Sequence, residues 1–293
     1  MRVTDNARLL AVLRNNAVST GRLTTASRHA SAGARVTKPS DDPVAYTTSV
    51  RRGSTIANLA SRTRTARAAA DELAVAEGAL DSATELLAQA KSSAVQGANE
   101  TLSPSDRNAL ALQVTGVREQ LLALANTRGP GGFVFAGSRT DTAPFDAAGT
   151  FTGNDTVMRA PVSDGVAPRM NVSGARAFTA AGGSDVFADL AALATALSTN
   201  DLVGIRASIG AVQKGYDQVV SVQVDAGLSI ERLHSAADVI DTASLAVGQA
   251  RARDVGADDL AGLATELSAA GTSYSQSLTV TRMLLSLPSL AKQ

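Results

Sequence analysis

The sequence predicts a mainly α-helical fold: an elongated helical rod of antiparallel coiled-coil helices from both termini, with a small β-rich inserted outer domain. Three observations predict it. Long stretches on either side of the chain's middle repeat apolar residues every three and four positions. All six Phe fall between Phe133 and Phe187, and ten of the 24 Gly and four of the eight Pro lie between Gly129 and Gly183. The 293 residues are 44% hydrophobic but only 3% aromatic, which suits Ala-rich helices meeting at close range rather than a thick globular core.

The helical arms come first. From Leu73 the positions Leu73, Ala76, Leu80, Ala83, Leu87, Ala90 and Ala94 alternate steps of three and four without a slip. Leu110, Val114, Val117, Leu121 and Leu124 do the same. In the second arm the rule selects Ile205, Ile209, Val212, Tyr216, Val219, Gln223, Ala226, Ile230, Leu233, Ala237 and Ile240, about 54 Å of helix at 1.5 Å per residue. Leu260, Leu263, Leu267, Ala270 and Tyr274 close the series, continued by Ser277, Thr281 and Leu284. Such spacing keeps one stripe against a partner helix and underwinds the pair into a left-handed coiled coil. Near the N-terminus Leu9, Leu13, Asn16, Thr20, Leu23, Ser27 and Ala30 hold the spacing, but three of the seven are polar. Isolated helices gain little without packing, so both ends are expected to order against neighbouring copies.

Punctuation agrees with the arms. Ser40-Asp41-Asp42-Pro43 and Ser103-Pro104-Ser105-Asp106 place capping side chains around a proline suited to a first helical turn. Arg128-Gly129-Pro130 stops one helix, and the stretch ending at Gly256 breaks another. The middle reads as short strands: Phe133–Phe135, Thr150–Thr152 before Gly153-Asn154-Asp155, then Val157–Arg159. These boundaries divide the chain into an N-terminal coiled-coil segment at 1–40, a helical rod domain in two parts at 41–136 and 183–254, the β-rich insert at 137–182, and a C-terminal coiled-coil segment at 255–293.

Composition excludes several functions. The 27 basic and 27 acidic side chains cancel, which argues against a nucleic-acid binder. The cancellation hides an asymmetry: residues 1–70 carry twelve Lys or Arg against Asp5, Asp41 and Asp42, a surplus of nine that the remainder offsets. No apolar run approaches the roughly 20 residues of a membrane span, and the start lacks the apolar stretch of a secretory signal. With no Cys there is no disulfide, thiolate metal site or cysteine nucleophile. His29 and His234 have no second ligand at helical spacing and read as packed or surface residues; Asp41-Asp42 and Asp258-Asp259 read as helix-start charges rather than cation ligands. Gly129-Pro130-Gly131-Gly132 lacks the Lys and Ser/Thr of a phosphate loop. No catalytic residue, cofactor or metal ligand is expected, and no enzyme.

Residues 31–45, Ser31-Ala32-Gly33-Ala34-Arg35-Val36-Thr37-Lys38-Pro39-Ser40-Asp41-Asp42-Pro43-Val44-Ala45, resemble the N-terminal signature of the bacterial flagellin superfamily. The final helix from Tyr274 to Leu287 resembles that family's C-terminal run of small and apolar residues, although Ser289–Gln293 is more polar than the usual ending. Phe133 to Phe145, with Phe135, Gly137, Pro144 and Phe145, is similar to the segment typical of the hook-associated protein 3 subgroup, the hook–filament junction members. The resemblance implies termini paired as coiled coils in the inner tube of the flagellum, with Leu9, Leu13, Leu23, Leu263, Leu267, Tyr274 and Leu284 in the assembly interface. It also implies export through the flagellar type III channel without a cleaved signal. The partners it implies are further copies of the chain, hook-associated protein 1 on the hook side, flagellin and an export chaperone. A filament-forming flagellin is the second reading, and a cytosolic coiled-coil scaffold a third.

Overall fold

Helix starts and stops fall where capping chemistry allows them. In the computed structural model, which describes residues 2–162 and 167–285, the helices are α1 (Arg2–Ala32), α2 (Pro43–Gly97), α3 (Pro104–Ala125), α4 (Gly174–Phe178), α5 (Val186–Ser198), α6 (Leu202–Val255) and α7 (Leu260–Leu285). The Asp42 carboxylate accepts from the N–H groups of Val44 and Ala45 at 3.1 and 2.9 Å, with Pro43 opening α2. Ser103 Oγ accepts from Asp106 N–H at 3.2 Å behind Pro104, and Asp259 accepts from Gly262 N–H at 2.8 Å to start α7. Each supplies an acceptor to amides that have no partner within their own helix. The polar tail Ser289–Gln293 and the end of the family-like run lie outside the described residues.

The chain forms two compact units, residues 1–59 with 242–293, and residues 60–241. In the larger one, α2 and α6 run antiparallel. Cross-links pair Thr63 with Asp241, Glu77 with Gln223 and Glu100 with Arg206, one number falling as the other rises. All seven positions of the Leu73–Ala94 stripe are buried. α3 departs by a small rotation: Arg107, Ala111, Val114, Val117, Leu121 and Ala125 are buried, while Leu110 and Leu124 flank the seam half-buried.

α6 departs more. Ile205, Val212, Val219, Ala226, Leu233 and Ile240 are buried as expected, but Ile209, Tyr216, Gln223 and Ile230 are only half-buried. Their places are taken by Ser208, Gly215, Val222 and Ser229. The reason is clearance: a methyl on Gly215 would stand 3.2 Å from Val186, so small residues occupy the closest approach and larger ones flank it.

The expectation of a β-rich insert needs correction. Among the described residues the only ladder is a two-residue hairpin, β1 (Arg128–Gly129) against β2 (Gly132–Phe133), which precedes the expected boundary at 137. Within 137–182 lie isolated bridges (Phe145 to Phe151, Arg159 to Arg169), then α4 and a 3-10 turn at Ala180–Gly182. Runs of three residues between Gly and Pro are too short to accumulate ladder bonds, and Pro144, Pro161 and Pro168 donate none.

An aromatic cluster holds this segment instead. The Phe145 ring lies 5.3 Å from Phe151, 5.3 Å from Phe187 and 5.7 Å from Phe178, and Phe178 lies 5.5 Å from Phe135. Each ring brings large apolar area and a preferred tilted or edge geometry. Phe133 stands apart, its ring beneath the Arg128 guanidinium at 4.3 Å.

Candidate assembly surface and signature turn

α1 and α7 pack antiparallel in the smaller unit: Ser277 Oγ donates to Asn16 Oδ1 at 3.4 Å, and His29 faces Glu266 at 3.8 Å. From α7 the seam uses the expected positions, with Leu263 buried and Leu267, Ala270, Tyr274, Ser277, Thr281 and Leu284 half-buried. From α1 it uses Leu9, Val12, Asn16, Ser19, Leu23, Ala26 and His29. Leu13, expected in the seam, is instead 53% exposed, with Thr20 and Ser27 also outside it. Both 12, 19, 26 and 13, 20, 27 satisfy the repeat, and Val12, Ser19 and Ala26 are the set that is covered. Leu10, Leu13 and Val18 on α1 and Val280 on α7 point their apolar surface outward. A seam this shallow, backed by outward apolar side chains, leaves the pair with surface still to bury.

The residues of the N-terminal signature build the turn between α1 and α2. Gly33, at φ +62°, ends α1 in the left-handed region. The N–H groups of Arg35 and Val36 both donate to Val255 O, at 2.8 and 3.0 Å, stitching the turn to the end of α6. There Gly256, at φ +64°, holds a left-handed turn, and a methyl on it would stand 3.1 Å from Arg35 Cβ.

Asp41 closes the loop. Its Oδ2 accepts from Thr37 N–H (3.0 Å), Thr37 Oγ–H (2.9 Å) and Lys38 N–H (3.1 Å), and Oδ1 lies 3.7 Å from Arg28. Partial burial opposes its charge, but these hydrogen bonds and the Arg28 guanidinium prevail and lower its pKa from 3.8 to about 2. Pro39 and Ser40 are exposed at the crest of the turn, and Asp42 and Pro43 begin α2. His29, only 7% exposed, stands between Asp41 (3.9 Å) and Glu266 (3.8 Å) without a hydrogen bond to either ring nitrogen.

The second motif sits in the aromatic cluster. Phe135 and Phe145 are ring members, and Pro144 is buried with its carbonyl accepting from Thr152 N–H at 2.7 Å. Gly137, at φ +71°, lies so close to Asn154 that a methyl would strike its carbonyl oxygen. Asn154 in turn accepts from Ser138 N–H at 2.8 Å. All these contacts hold the segment's shape.

Three polar hubs escaped the sequence reading. Arg107, 3% exposed, donates to Gly97 O (2.9 Å), Asn99 O (2.6 Å) and Asn200 Oδ1. Asn126 holds the Phe145 backbone. Gln218 donates to the carbonyls of Ala177, Thr179 and Ser184 and accepts from Ser184 N–H at 2.8 Å. Their partners are carbonyls and amides of distant loops, which leave no spacing in the sequence.

Among the described residues no group of three or more His, Asp or Glu could hold a metal ion, and no helix is long and apolar enough to cross a membrane. Paired helices from the two ends of the chain, a signature turn after the first and a short aromatic-centred insert make up a mainly helical protein of flagellin type. The family described as the bacterial flagellin N-terminal helical region matches residues 3–151, and the chain belongs to that family. Flagellar hook-associated protein 3 of Escherichia coli (strain K12) is 40% identical over 116 residues, 39% of this chain and 37% of that protein. B-type flagellin of Pseudomonas aeruginosa is 31% identical over 130 residues, 44% of this chain and 27% of that one. The matches therefore span under two fifths of each curated relative. The solved flagellar junction protein FlgL from Legionella pneumophila shares the fold at a TM-score of 0.57 and 16% identity, over 72% of this chain and all of that one.

Proposed function

We propose that the chain is a structural, non-enzymatic adaptor of the bacterial flagellum, joining hook to filament. The observation that carries this reading is the α1–α7 pair. Its half-buried seam and outward Leu10, Leu13 and Val18 suit helices that finish their burial against further copies. The similarity of the chain to hook-associated protein 3 supports the junction over other axial positions. On this reading Leu9, Leu23, Leu263, Leu267, Tyr274 and Leu284 preform the helix pair, while Leu13 meets a neighbour. The helices of 41–136 and 183–254 form a load-bearing rod. The partners are further copies of the chain, hook-associated protein 1 on one side and flagellin on the other, with an export chaperone before assembly. The chain reaches the flagellum by type III export, without a cleaved signal.

Electron microscopy of a strain lacking the chain tests this. Hooks without filaments, with flagellin released to the medium, are expected; filaments of normal length and number would refute the adaptor reading. The similarity to B-type flagellin favours a second reading, the filament subunit itself. Copies per flagellum separate the two, a ring-sized number for the adaptor and thousands for the filament.

A further inference from the structure

In the larger unit a cleft of about 680 Å³ opens between α6 and the segments on either side of the Arg159–Arg169 bridge. Arg159, Arg169 and Arg232 line it together with Val162, Ala236 and Glu231, the lone carboxylate among the described lining residues. Like charges placed opposite each other across a bridge are unfavourable unless an anion is near. Among the described residues none of the three is in an ion pair: Arg159 donates to Ala167 O at 3.0 Å, and Arg169 and Arg232 have no hydrogen-bond or ion-pair partner, Glu231 included.

The same unit carries the opposite arrangement. Glu77, Asp81 and Glu85 stand four residues apart on α2, on one face, at about 6 Å per step. Their only side-chain partner among the described residues is the Gln223 amide, which donates to Glu77 and Asp81 at 3.2 Å each. Among the described residues no cation forms an ion pair with the row. Gln223 marks its level on α6, nine residues or about 13 Å of helix from Arg232, so the row and the cleft do not pair within one copy.

We propose that the cleft of Arg159, Arg169 and Arg232 is a docking site for the row Glu77, Asp81 and Glu85 of a second copy of this chain. Three guanidiniums meet three carboxylates, in the planar geometry that favours paired N–H···O bonds. Site and counter-site lie on different parts of the surface, so the contact is head-to-tail and repeats from copy to copy rather than closing a dimer. This rests on the self-assembly reading above.

The absence of native Cys makes cross-linking a direct test. Cells lacking the native chain would carry full-length Ser235→Cys, on the cleft wall, together with full-length Ser82→Cys, beside the row; oxidation would follow in sheared flagella. A mixed disulfide dimer is expected from the pair and not from either variant alone. Adding Arg169→Glu and Arg232→Glu to the first chain should cut its yield about tenfold, and Asp81→Lys with Glu85→Lys on the second should restore it. Variants present in the flagella without a mixed dimer, or with one indifferent to both charge changes, overturn the docking proposal and leave self-assembly standing. Variants absent from flagella, though folded as judged by circular dichroism, overturn both.

Discussion

The carboxamide of Asn126 grips the backbone of Phe145 at both ends, Nδ2 donating to the carbonyl at 3.1 Å and Oδ1 accepting from the N–H at 3.0 Å. Asn126 is the residue on which α3 ends, and Phe145 is the ring that touches three others. One side chain thus turns the end of a helix into the anchor of the aromatic cluster. Asn126→Leu should cost about 2 kcal/mol by leaving two backbone groups unpaired, and Phe145→Ala about 3–5 kcal/mol. Urea denaturation of the double variant should fall short of the sum, because both changes release the same segment.

Arg107 is a buried cation with no carboxylate among its described hydrogen-bond partners. Carbonyls at the end of α2, with the Asn200 side chain, receive its donors, where the negative end of a helix dipole favours positive charge. Arg107→Ala should destabilise the larger unit by about 3 kcal/mol, since the Gly97 and Asn99 carbonyls lose their partners. Arg107→Lys should recover only part of this, because one ammonium cannot span three acceptors. Thermal melting of both variants reads the difference.

Asp41 sets the acid limit of the signature turn. Its pKa is lower folded than unfolded, so its contribution is fully present above its ordinary value of 3.8 and is lost as pH falls through about 2. Amide hydrogen exchange at Thr37 and Lys38 should be slow at pH 5 and accelerate across that window beyond its intrinsic pH dependence. Asp41→Asn should be fast throughout, while the amides of α3 stay protected in both.

Gly137 tolerates nothing larger. At φ +71° an alanine carries left-handed strain of about 1–2 kcal/mol, and its methyl would displace the Asn154 carbonyl. Gly137→Ala should therefore lower the melting temperature. Gly78→Ala, on α2 with open space around it, should raise stability slightly, by up to about 1 kcal/mol.

Removing residues 1–30 separates folding from assembly. The seam that α1 makes lies wholly within the smaller unit, so melting of the larger one should be unchanged, while incorporation into flagella is lost. A truncated chain that still built filament-bearing hooks would contradict the assembly role of α1.

The sequence alone determined what depends on neighbours along the chain. Leu73 to Ala94 could be read directly as a buried stripe, since every third and fourth residue on one side of that helix is apolar. The caps at Asp42 and Ser103 were equally plain, because capping is a contact across two or three residues. Tertiary structure decided the rest. Whether Ile209 or Ser208, Leu13 or Val12, faces inward turns on a small rotation of the helix, set by how closely the neighbour approaches. The segment after Phe133 has strand-like composition yet builds almost no ladder, because rings distant in the chain converge there and supply the burial that a sheet would have provided. Arg107, Asn126 and Gln218 became central only once folding brought unpaired backbone groups within their reach.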